Sequence, residues 1–106
     1  MQDTIIVTTD EVLVEYLGYI SGHGSASRRK ASETLRATLG DPNVRVIPQS
    51  RETMLRGLAR FDRRPDKAYS LVDCVSMNVM DDLGIHEALT ADHHFEQEGF
   101  VALMRG

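Results

Sequence analysis

The sequence of 106 residues predicts a single small α/β domain, residues 1–106, with a small parallel sheet flanked by helices. Three observations carry this reading. Short β-branched runs alternate with longer stretches whose apolar residues recur at helical spacing. Ser or Thr opens the helical stretches, and Gly often closes them. Strands that alternate with helices pair in parallel through crossover connections.

The elements follow in order. Residues 4–8 (TIIVT) read as a first strand. Thr8 or Thr9 can then cap a helix whose first turn holds Asp10 and Glu11, the favourable sign for that end. Leu13, Tyr16, Leu17 and Ile20 give it an apolar stripe, and Gly22 and Gly24 end it. Ser25 or Ser27 starts a second helix through Ala31, Leu35 and Leu39, closed by Gly40, Asp41 and Pro42. Val44–Ile47 reads as a buried strand ahead of Pro48. Ser50 caps a third helix with Met54, Leu55, Leu58 and Phe61 on its apolar face. After a break at residues 62–66, Ser70 and Asp73 stand at capping-box spacing, with Asp where Glu or Gln is usual. The helix they open carries Val72, Val75, Val79 and Leu83 and stops at Gly84. A short strand at 88–91, a helical turn at 93–96 and a last strand at 100–104 complete the chain.

Composition narrows the class. Twelve Lys and Arg stand against sixteen Asp and Glu, and 42% of residues are apolar, which excludes a mainly disordered or fibrous chain. No apolar run approaches the roughly 20 residues needed to span a bilayer. The first residues lack the basic start and long apolar stretch of a secretory signal. The lone Cys74 fits a reducing compartment, so a cytoplasmic location is expected.

Charge is unevenly placed. Every Lys and Arg except Arg105 falls between residues 28 and 67, where the acids are Glu33, Asp41, Glu52, Asp62 and Asp66. Residues 1–27 hold acids but no Lys or Arg. A basic block of this kind can track a phosphate backbone, and acids gathered elsewhere can hold hard cations; both can equally be solvated helix faces.

Parallel α/β sheets place ligands at the carboxyl ends of their strands. Asp92 follows the strand at 88–91 directly, which makes it the best-placed acid. Asp73 lies near a helix start. Glu15 borders the apolar stripe of the first helix, about 40° round from Tyr19. Each of these acids has a capping or solvated role as its alternative. The remaining candidates carry less. Adjacent His93 and His94 diverge by about 100° and make no zinc pair on one helix face. Cys74 reads as a small buried residue, Asp81 and Asp82 as a solvated pair, and Met54, Met77, Met80 and Met104 as core filler.

Taken together, residues 69–84 (YSLVDCVSMNVMDDLG), residues 88–95 (ALTADHHF) and Gly99-Phe100 resemble the C-terminal half of PIN-domain proteins. Upstream, residues 7–15 (VTTDEVLVE) resemble that family's second acidic helix. The resemblance implies a metal-dependent nuclease, and more narrowly a ribonuclease toxin of a bacterial toxin–antitoxin pair. It implies Glu15, Asp73 and Asp92 as the catalytic, metal-holding carboxylates, and Ser70 as a polar position beside them on the substrate side. It also implies Mg²⁺ or Mn²⁺ as cofactor, RNA as substrate and a cognate antitoxin as partner. Carboxylates suit such chemistry because hard cations take oxygen ligands, and a bound cation both neutralises phosphate charge and activates water.

The sequence departs from the family at one point. The family's first strand, ending in an Asp-Thr-Ser or Asp-Thr-Ala element with a fourth acid, has no counterpart after Met1. The expectation is therefore an N-terminally truncated PIN-like fold. Residues 4–8 then either keep the family role of opening the Glu15 helix or fill the place of the missing strand. In the second case Asp10 would lie near the position of the fourth acid. Open sheet edges and apolar surface favour a homo-oligomer. The rival functional class is a non-catalytic interaction module derived from the same ancestry.

Overall fold

The computed structural model describes residues 5–88, 93–99 and 101–102. The chain forms two compact units, Met1–Gln49 and Ser50–Gly106.

In the first unit, β-branched residues form strand β1 (Ile6–Thr9), which pairs in parallel with β2 (Val44–Ile47). The register sets Ile6 against Val44 and Thr9 against Ile47. β1 runs directly into helix α1 (Asp10–Ile20), so the same segment both opens the Glu15 helix and fills a strand position. Thr9, 2% exposed, is the cap: its Oγ1 accepts from the Val12 amide at 3.2 Å. Asp10 follows β1 immediately, and its carboxylate accepts from the Gln49 amide at 2.9 Å, tying the start of α1 to the exit of β2. The second helix, α2 (Ser25–Leu39), is capped by Gly24, whose φ of 100° suits a residue without Cβ. The expected serine caps do not act there; Ser25 is already inside the helix. Only Ala31 of α2 is fully buried, and no residue of α1 is.

The second unit begins with Ser50, which caps α3 (Arg51–Asp62) in a reciprocal box with Thr53. Helix α4 (Leu71–Leu83) ends at Gly84, which holds the left-handed conformation at φ 67°. Strand β3 (Glu87–Ala88) pairs in parallel with β4 (Val101–Ala102), and α5 (His93–Gln97) lies between them in the chain. The rest of the expected strands, residues 89–91, 100, 103 and 104, falls outside the described residues, as does Thr4 of the first. Among the described residues, then, both strand pairs are parallel, as the alternation of elements predicts.

Helix α3 meets α4 through a different face from the expected one. Met54, Leu55, Leu58 and Phe61 are between 39% and 54% exposed, whereas Gly57 and Arg60 are buried. Gly57 explains the choice. A Cβ there would lie 2.6 Å from Val75 Cγ2, so glycine is what lets the two helices approach. The core of this unit is Tyr69, Cys74, Met77, Met80 and Phe95, with Ile85 and Ala88 packed against it. Cys74 and Met77 fill the core as expected, whereas Met54 does not, and Leu83 is exposed at 39%. No helix among the described residues is long and apolar enough to cross a membrane.

Candidate functional site

The N-terminus of α4 carries two of the expected site residues. Ser70 has extended backbone, and its Oγ accepts from the Asp73 amide at 3.0 Å. Asp73 returns the bond, Oδ2 accepting from the Ser70 amide at 3.2 Å. The capping box therefore forms with Asp in the Glu position, and it orders the Asp73 side chain, which is 23% exposed. His94, on α5, brings its Nδ1 within 3.8 Å of the same Oδ2. Both contacts fall on Oδ2; among the described residues nothing bonds Oδ1. The Ser70 hydroxyl uses a lone pair in the cap and keeps its hydrogen to donate.

Glu15 lies on α1 in the first unit, exposed, with no hydrogen bond or ion pair among the described residues. Asp92 lies outside the described residues. Ser70 and Asp73 are thus the expected site residues that the structure brings together. Among the described residues no three His, Cys, Asp or Glu side chains gather to hold a metal ion. Asp73, half-buried, leaves Oδ1 unengaged by any described side chain, and a carboxylate oxygen of this kind suits a hard cation.

A buried charged network stands behind α4, and it was missed in the sequence. Arg60 is 7% exposed and Glu98 has a side chain 6% exposed. Arg60 donates to Asn78 Oδ1 at 3.1 Å, Asp81 Oδ2 at 2.8 Å and Glu98 Oε1 at 3.0 Å. Arg64 Nε donates to Glu98 Oε2 at 3.0 Å, and the Tyr69 hydroxyl reaches the same oxygen at 3.2 Å. Burial alone would raise the Glu98 pKa, but the hydrogen bonds from Arg64 and Arg60 outweigh it and hold the carboxyl below the ordinary glutamate value. Burial, and then the Glu98 charge, push the Tyr69 hydroxyl up. Burial likewise raises the Cys74 thiol, which is fully enclosed and unsuited to act as a nucleophile.

Asp81 and Asp82 are exposed at the end of α4, as expected of a solvated pair, and each also makes an ion pair. Asp81 binds Arg60, and Asp82 binds Arg56 in a two-point ion pair at 2.7 and 2.9 Å. The basic block therefore divides by role. Arg56, Arg60 and Arg64 are joined to acids of their own unit, whereas Arg28, Arg29, Lys30 and Arg36 stand exposed on α2. One signal could have placed Arg60 on the packed side: Thr53, Gly57 and Arg60 recur at helical spacing along one face of α3.

Parallel strand pairs with intervening helices define an α/β architecture, with Asp73 fixed in the first turn of the helix after Ser70. The chain has the fold of PIN-domain proteins and resembles that family. The solved structure of VapC20 from Mycobacterium tuberculosis, a toxin that cleaves the sarcin–ricin loop, matches it with a TM-score of 0.82 and 25% identity. The match covers 96% of this chain and 76% of VapC20. Neither a protein-family model nor a curated protein matches the sequence.

Proposed function

We propose that this chain is a divalent-metal-dependent endoribonuclease of the toxin type, which hydrolyses RNA phosphodiester bonds. The single observation that carries the reading is the likeness to the sarcin–ricin-loop-cleaving VapC20 across 96% of the chain. The site residues are Glu15, Asp73 and Asp92, which would hold Mg²⁺ or Mn²⁺. When bound, such a cation supplies charge neutralisation at the phosphoryl oxygens and a water acidic enough to attack at neutral pH.

The protein's own groups have separable tasks. Asp73, ordered through Oδ2 by the Ser70 amide, keeps Oδ1 for ligation. Ser70, its lone pair occupied by the cap, can donate its hydroxyl hydrogen to a phosphate oxygen. Arg28, Arg29 and Lys30, exposed on α2, supply positive potential that draws a phosphate backbone toward an otherwise acidic protein. A cognate antitoxin as partner, a cytoplasmic setting and a homo-oligomer belong to the same reading. The exposed Met54, Leu55, Leu58 and Phe61 on α3 support the last, since contiguous apolar surface of this kind favours association.

The test is cleavage of an RNA hairpin that carries the sarcin–ricin loop. Mn²⁺-supported cleavage is expected, abolished by EDTA and by Asp92→Asn. Cleavage that survives EDTA or Asp92→Asn would overturn the proposed mechanism.

A further inference from the structure

We propose that Tyr69 and His94 are positioning residues that fix the Asp73 carboxylate, with the buried Glu98 as their anchor. The proposal rests on the reading of Asp73 as a metal-holding carboxylate.

A carboxylate as enclosed as Glu98 has to be paired, and three donors surround it: Arg60, Arg64 and the Tyr69 hydroxyl, at 3.0, 3.0 and 3.2 Å. These bonds fix the outer end of Tyr69, whose ring is 3% exposed and which directly precedes the Ser70 cap. The ring meets His94 edge to face, with centroids 5.3 Å apart and planes at 68°. Edge-to-face packing of this kind favours one orientation of the imidazole. Its Nδ1 is thereby kept 3.8 Å from Asp73 Oδ2, on the oxygen already engaged by the Ser70 amide. The line from Glu98 through Tyr69 and His94 thus runs from the interior to a carboxylate that solvent reaches.

The consequence is preorganisation. With Oδ2 bonded to the Ser70 amide and the His94 ring packed beside it, Asp73 loses little rotational freedom when a cation takes Oδ1. Partners one step behind a ligand raise metal affinity in this way, and losing one weakens binding about tenfold or more.

Calorimetric titration of Mn²⁺ alone into the full chain tests this, with the thermal midpoint of each variant measured beside it. Asp73→Asn is expected to abolish the binding seen in wild type. His94→Ala is expected to weaken it about tenfold at an unchanged midpoint. His94→Asn, which keeps a polar group near the place of Nδ1, is expected to restore most of it. Tyr69→Phe, which keeps the ring but frees it from Glu98, is expected to weaken binding to a smaller degree. On RNA, His94→Ala should lower kcat and leave KM unchanged.

Wild-type affinity in His94→Ala and Tyr69→Phe, with binding lost in Asp73→Asn, would overturn the positioning role and leave the metal site standing. Equal binding in wild type and Asp73→Asn would overturn the metal site itself. Weaker binding in His94→Ala that comes with a lowered midpoint and is not rescued by Asn would assign His94 to folding alone and overturn the proposal.

Discussion

The two units of this chain reach order by different means. In Met1–Gln49 the parallel ladder of β1 with β2 supplies most of the fixed geometry, and Thr9 and Ala31 are its fully buried residues among those described. In Ser50–Gly106 the ladder is two residues long on each strand. Order there comes from the Tyr69, Cys74, Met77, Met80 and Phe95 core and from Arg60 and Glu98 buried together. A ladder with thinly covered faces opens easily, whereas a core locked by charged hydrogen bonds has to come apart as a whole. The expected active-site carboxylates are divided accordingly: Glu15 is exposed on the looser unit, and Asp73 is braced on the tighter one.

Substitutions can break or sharpen this contrast. Glu98→Ala should cost most, about 4 kcal/mol, because it leaves buried Arg60 without its buried partner. Urea unfolding measures it. The same residue gives a signature in pH. Its folded carboxyl is held below the ordinary glutamate value of about 4.3, so its stabilisation is complete above that value and is lost as pH falls toward the lowered one. Wild type should therefore lose stability more steeply than Glu98→Gln below about pH 4.3.

Met77→Ala comes next, at about 3 kcal/mol, since that side chain is fully enclosed and its removal leaves a cavity. Thr9→Ala should cost least, about 1 kcal/mol, the value of one helix cap. Native-state hydrogen exchange sharpens the contrast directly. Amides of Cys74 to Met80 should exchange far more slowly than those of Ile6–Thr9, and Glu98→Ala should narrow that gap.

Much of this architecture can be read from the sequence, because it follows from local chemistry. The Thr9 and Ser50 caps, the Ser70–Asp73 box, the Gly84 stop and the parallel alternation each depend on a few neighbouring residues. What was not legible depends on distant partners. Arg60 and Glu98 are charged, so by type they belong in water, and only the meeting of α3 with the segment after α5 makes them a buried pair. The α3 face was misread for a related reason. Met54, Leu55, Leu58 and Phe61 form the better apolar stripe, yet Gly57 permits the closer helix approach, and packing follows approach rather than hydrophobicity. The expected site acids Glu15, Asp73 and Asp92 come from a motif, whereas the approach of His94 to Asp73 is visible only in the fold.

The central claim is that a carboxylate held at the start of α4 serves RNA hydrolysis, and single-turnover cleavage of a sarcin–ricin-loop hairpin by Asp73→Asn tests it most directly. Asparagine keeps an oxygen to accept from the Ser70 amide, so the cap and the fold survive while the charge is removed. The expected result is a wild-type thermal midpoint with Mn²⁺-supported cleavage lost. Cleavage at the wild-type rate by a fully folded Asp73→Asn would contradict the account.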